Sequence, residues 1–94
     1  MEPNTERKIQ ACKLLCHPTR FAMLSALIEA PDGMCVYEIA EIAGVSQSAA
    51  SHQLAKLETK EVVASYPSGQ TVCYQFQESS DLGVYITRII TVEV

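Results

Sequence analysis

The chain has 94 residues, room for one domain, and 48% of them are hydrophobic against 19% charged, a balance that excludes general disorder. Seven Lys and Arg against 11 Asp and Glu leave a net charge of −4, which weighs mildly against a polyanionic partner unless the docking face has its own local sign. Apolar runs are far shorter than the roughly 20 residues a membrane helix needs, and the polar start Met1-Glu2-Pro3-Asn4-Thr5-Glu6-Arg7-Lys8 carries no export signal. The expected address is therefore cytoplasmic, with no membrane partner. There, Cys12, Cys16, Cys35 and Cys73 are expected as reduced thiols.

Residues 1–94 read as a single domain. A first helix is expected from about Thr5 to Cys16, with Ile9, Cys12 and Cys16 on one face and Leu14 and Leu15 widening it. His17-Pro18 stops it, because a residue before proline avoids the α region. Pro18 can then open a second helix that reaches about Ala30, with Phe21, Leu24, Leu27 and Ile28 on one face. Pro31-Asp32-Gly33 is a turn, and Met34-Cys35-Val36 a minimal strand. A third helix spans about Tyr37 to Ala43 and closes at Gly44. Ser46 then caps a fourth helix from about Gln47 to Lys60, whose apolar stripe is Ala50, Leu54 and Leu57. From Val62 the pattern turns to β: Val62–Tyr66 and Thr71–Phe76 flank the turn Pro67-Ser68-Gly69-Gln70. In the second strand Val72, Tyr74 and Phe76 are expected toward the core, and Thr71, Cys73 and Gln75 outward. A last helix, about residues 80–92, begins near Ser80 and groups Leu82, Tyr85, Ile86, Ile89 and Ile90; Thr91–Val94 are frayed or extended.

This order is mainly α with a small β-hairpin, and a hairpin directly after two helices joined by a tight turn is the winged helix-turn-helix pattern. The helix-turn-helix occupies about residues 37–60 and the wing about 62–76. Opposite its apolar stripe, the fourth helix presents Ser48, Ser51, His52, Ala55, Lys56 and Thr59. A solvated helix face is more often built of Glu and Lys in i,i+4 pairs. Short hydrogen-bonding side chains instead suit close approach to base edges and phosphates. No acidic residue occurs between Gln47 and Leu57; Glu58 and Glu61 come only at the far end.

Three stretches resemble one family. Leu15-Cys16-His17-Pro18-Thr19-Arg20 looks like the signature that opens the second helix of ArsR/SmtB proteins. Val45-Ser46-Gln47-Ser48-Ala49-Ala50-Ser51-His52-Gln53-Leu54 looks like their recognition-helix motif, and Gln70-Thr71-Val72-Cys73-Tyr74-Gln75-Phe76 resembles their wing strand. The resemblance implies a homodimeric winged-helix transcriptional repressor on a palindromic double-stranded operator, dimerised through the first and last helices. It also implies groove contacts from Ser46, Gln47, Ser48, Ser51, His52 and Gln53, and backbone contacts from Lys56 and from Ser68, Gly69 and Gln70 at a wing tip that has no Arg or Lys. Such repressors commonly release DNA on metal binding or thiol reaction. Their Cys-x-Cys site reads here Cys35-Val36-Tyr37, without its second thiolate, and the last-helix metal site has only Asp81 and no histidine.

Cys12 and Cys16, four residues apart on one helix face, are either core or dimer packing or a thiolate pair. With Cys35 they would suit a soft ion, As(III), Cd, Pb or Zn, or a reversible thiol modification. Cys73 is expected as a lone exposed thiol, His17 as a local cap or surface imidazole. Two other readings stand beside the thiol-switched repressor: a winged-helix DNA-binding regulator with no sensor of its own, and a winged-helix protein–protein module. Enzyme chemistry is not expected: no convergent Ser/His/Asp set, paired-carboxylate motif or Gly-rich phosphate loop occurs, and adjacent Cys16 and His17 do not orient one another.

Overall fold

A computed structural model describes residues 3–92; the readings that touch Met1, Glu2, Glu93 and Val94 lie outside them. Its elements run α1 (Pro3–Leu15), α2 (Pro18–Ile28), β1 (Met34–Cys35), α3 (Val36–Ala43), α4 (Gln47–Thr59), β2 (Val63–Ser68), β3 (Thr71–Phe76) and α5 (Gly83–Thr91). The helices follow the expected order. The last one starts later than expected, because Ser80 is used in the turn before it: its Oγ accepts the Gly83 N–H at 3.0 Å. Pro18 occupies the first turn of α2 behind an extended His17. Arg20 then ties the two helices together, its Nε donating to the Leu14 carbonyl at 2.9 Å near the open end of α1.

One core gathers Leu14, Leu24, Leu27, Ile39, Leu54, Leu57, Val62 and Ile86, so every helix contributes to it. On α1 the buried residues are Ala11, Leu14 and Leu15, while Ile9, Cys12 and Cys16 are exposed. The two stripes lie side by side on the helix, and the flanking leucines took the core. On α2 Met23 joins Leu24 and Leu27 inside, and Phe21 is left 44% exposed.

The strands form one antiparallel sheet in the order β1-β3-β2. β3 is thus central, and this corrects the expected alternation along it. Tyr74 is buried and Phe76 packs against the core, but Val72 is 43% exposed and Cys73 only 3% exposed. The cause is the length of β1, which pairs only Met34 with Tyr74 and Cys35 with Cys73. Where β1 lies alongside, Cys73 and Tyr74 are buried on opposite faces of β3, while Gln75 stays exposed and the hairpin beyond projects into solvent. The pairing between β2 and β3 runs from Val63↔Phe76 to Ser68↔Thr71, so the loop is only Gly69-Gln70. Only Gly69 of the two has a positive φ (+63°), as a type II′ turn requires.

The wing root is pinned to the turn before β1. Tyr66 donates its hydroxyl to the Asp32 carbonyl at 2.7 Å, and Gln75 donates Nε2 to the Pro31 carbonyl at 2.6 Å. Gly33 makes that approach possible: at φ +93° it sits where a Cβ would collide with the Tyr66 hydroxyl and lie 2.7 Å from the Tyr74 carbonyl oxygen.

α4 ends by reversing direction at Glu61, which holds φ +63°. The Glu61 N–H donates to the Glu58 carbonyl (2.9 Å) and the Val62 N–H to the Leu57 carbonyl (3.0 Å), a Schellman closure that feeds the chain into β2. A side chain in this left-handed conformation costs free energy that glycine does not pay. Glu61→Gly is therefore expected to stabilise the fold by about 0.5–1 kcal/mol, net of glycine's larger unfolded-state entropy. A chemical-denaturation midpoint shifted upward at constant m-value checks this; an unchanged or lower midpoint contradicts it.

Candidate nucleic-acid interface

The site is built from α3, the turn and α4. Gly44 closes α3 at φ +69°, with its N–H on the Glu41 carbonyl (3.2 Å) and the Val45 N–H on the Ala40 carbonyl (3.0 Å). Val45 packs against the core at the corner between the helices. Ser46 then caps α4, its Oγ accepting the Ala49 N–H at 3.1 Å. These local choices fix the angle at which α4 leaves the turn. Ala50, Leu54 and Leu57, each fully buried, fix its rotation about its own axis.

That rotation leaves Gln47, Ser48, Ala49, Ser51, His52, Ala55, Lys56 and Thr59 exposed in a continuous face. Two of the expected contact residues are partly committed inside the protein. The Ser46 hydroxyl is used as the cap. Gln53 is half-buried, and its Oε1 is enclosed without a hydrogen-bond partner among the described residues. Ser48, Ser51 and His52 are the freest groups on the face. At its N-terminal end, the N–H groups of Gln47 and Ser48 have no partner inside the helix, a geometry that accepts a phosphate. Ser68, Gly69 and Gln70 at the wing tip are exposed.

The charge distribution suits this face better than the overall −4 suggests. Lys56 lies on it and Lys60 caps its far end. Glu58 is turned toward the wing, where its carboxylate accepts from the Ser65 N–H (3.1 Å) and the Ser65 hydroxyl (2.6 Å). Burial, and secondarily the nearby Glu58 carboxylate, holds the Tyr74 phenol above the ordinary tyrosine range. The Glu58–Ser65 link between α4 and the wing was not apparent in the sequence, because it depends on the reversal at Glu61.

The cysteines divide into two separate pairs. Cys12 and Cys16 line a shallow apolar groove on the exposed side of α1 with Thr5, Lys8, Ile9 and Lys13. Cys35 lies elsewhere, joined by a disulfide to Cys73. This corrects two expectations: Cys73 is not an exposed lone thiol, and Cys35 is not a free thiol. The reason is the antiparallel register, which sets the two residues directly opposite each other. Only the pairing of β1 with β3 shows this; spacing along the chain does not. Cys12, Cys16 and Cys35 are not brought together within one chain. Among the described residues no three His, Cys, Asp or Glu side chains converge as a metal site. His17 occupies the N-cap position of α2 without a side-chain capping bond, and its Nδ1 is enclosed without a partner among the described residues.

A capped, exposed helix set against a preceding helix by a glycine turn and flanked by a β-hairpin defines a winged helix-turn-helix protein. Residues 17–65 match the profile of the arsR family of bacterial regulatory proteins, and the chain belongs to that family. Its family and fold are those of DNA-binding transcriptional regulators, not enzymes. The Halobacterium salinarum protein ArsR2, named as a repressor of an arsenical resistance operon, is 31% identical over 74 residues; the match covers 79% of this chain and 62% of that relative's length. HlyU from Vibrio cholerae N16961 superposes with a TM-score of 0.76 at 27% identity, over 95% of this chain and 94% of HlyU. The homodimeric winged helix-turn-helix domain of Mb0332 from Mycobacterium bovis gives 0.67 at 21% identity, covering 92% of this chain and 73% of that domain. No helix among the described residues is long and apolar enough to cross a membrane.

Proposed function

We propose that the chain, as one domain over residues 1–94, is a cytoplasmic DNA-binding repressor that places the exposed face of α4 in the major groove of a palindromic operator. The observation that carries this reading is the face itself: short, mostly neutral, hydrogen-bonding side chains from Gln47 to Lys56, fixed by a fully buried stripe and left uncovered by the other described residues. Ser48, Ser51 and His52 read base edges, with Gln47 and Gln53 at the margins. Ser46 orders the helix N-terminus toward a phosphate, and Lys56 with Ser68, Gly69 and Gln70 holds the backbone. A homodimer forms through α1 and α5, which leave Ile9 and Val84 exposed. The homodimeric form of the Mb0332 domain supports a homodimer.

The operator is released by a thiol-reactive or soft-metal signal. The exposed Cys12 and Cys16 supply two thiolates for it, and a three-thiolate set needs a donor from outside this pair. The name of ArsR2 supports an arsenical as the first inducer to test. Labelling of both cysteines that As(III) does not slow would remove this part of the reading.

Selection from random duplexes at low salt tests the repressor reading. A palindromic site is expected, with an unusually shallow salt dependence. Lys56 and Lys60 are the only cations on α4 and its cap, four in a dimer, so log K should fall with log salt at a slope of about −4 or shallower. A slope near −10 would mean that a different, more basic surface docks. No enrichment at any salt would favour a protein–protein module instead.

A further inference from the structure

We propose that Cys35 and Cys73 are a reversible dithiol–disulfide couple, driven by low-molecular-weight disulfides, that staples the helix-turn-helix to the root of the wing. Its effect on DNA rests on the repressor reading above; its existence does not. The two residues face each other in the β1–β3 ladder, and their sulfurs are bonded. They differ in access. Cys35 is half-buried, whereas Cys73 is 3% exposed. An external disulfide RS–SR therefore meets Cys35 first.

The Cys35 thiolate, its proton given to water, attacks one sulfur of RS–SR. That bond breaks, one RS⁻ leaves and takes up a proton, and Cys35 carries a mixed disulfide. Cys73 then attacks the Cys35 sulfur, losing its proton as it does so, and expels the second RS⁻, which is protonated in turn. Two protein thiols have lost two electrons and two protons, and one external disulfide has become two thiols. Excess thiol runs both steps backward.

The position gives the couple a consequence. β1 is two residues long and passes directly into α3, so its ladder to β3 holds only two residue pairs. Apart from the staple, the same junction is held by the exposed hydrogen bonds from Tyr66 to Asp32 and from Gln75 to Pro31. Opening the bond leaves the junction of β1 with the wing on the two-pair ladder and these exposed hydrogen bonds, with the Glu58–Ser65 link on the α4 side. The oxidised form keeps the wing preorganised beside α4, and the reduced form must order it on DNA. This couple is distinct from Cys12 and Cys16, which sit on the outer face of α1.

The test equilibrates the wild-type chain across ratios of oxidised to reduced glutathione, quenches with acid, alkylates and maps peptides by mass spectrometry. One transition is expected, from four alkylated cysteines to two, with Cys35 and Cys73 found in one cross-linked peptide. The Cys12→Ser/Cys16→Ser variant is expected to form the same cross-link. Hydrogen exchange of the wing should slow on oxidation, and the selected duplex should bind the oxidised form about threefold tighter or more. Cys35 and Cys73 alkylated at every ratio, or cross-links scrambled among all four cysteines, would overturn the couple. A clean cross-link with unchanged wing exchange would overturn its role as a staple. Slowed exchange with no duplex bound in either state would sustain the couple and sink the repressor reading instead.

Discussion

Ser51→Glu and His52→Glu, each alone, are expected to lower duplex affinity by at least about a hundredfold, roughly 2.7 kcal/mol, while leaving the fold intact. Both side chains are exposed on α4, one turn inward from its cap, and neither contributes to the core. A glutamate there removes a short hydrogen-bonding group and sets a carboxylate against phosphates and base-edge acceptors, where like charges cost several kcal/mol. The face has only Lys56 and Lys60 nearby to offset that charge. Circular dichroism and a melting curve close to wild type, with binding lost, is the expected pair of results. Affinity unchanged in both variants would show that another surface docks.

Leu54→Ala is expected to have the largest effect on stability, about 2–5 kcal/mol, lowering the melting temperature by roughly 8–40 °C. Leu54 is fully buried at the middle of the α4 stripe, between Ala50 and Leu57, and belongs to the single core that all the helices share. Truncating it leaves a cavity that α4 cannot close without rotating, and any rotation turns Ser51 and His52 away from their positions. Binding at temperatures below the new transition should therefore also weaken. A loss below about 1 kcal/mol would mean that the stripe does not fix the recognition helix.

The parts of the fold that local rules control were legible in the sequence. His17-Pro18, Gly44, Ser46 and the Ala50-Leu54-Leu57 spacing each announce a boundary or a face through backbone chemistry, and the helix-turn-helix falls where they put it. The wing's two long strands were legible for the same reason. What stayed hidden needs long-range pairing. The exposure of Val72, the burial of Cys73 and its bond to Cys35 all follow from a two-residue β1 lying against β3. No period along the chain encodes that neighbour. The reversal at Glu61 was also invisible, because the usual signal there is glycine, and with it went the Glu58–Ser65 link. On α1 two adjoining stripes competed, and only packing shows that Leu14 and Leu15 took the core and left Ile9, Cys12 and Cys16 outside.

Amide chemical-shift mapping of the labelled protein, titrated with the selected duplex, tests the central proposal most directly. The largest changes are expected from Gln47 to Lys56, above all at Ser48, Ser51 and His52, with smaller ones at Gly69 and Gln70. Changes confined to α1, α2 or α5, with the α4 amides unmoved at saturation, would contradict it.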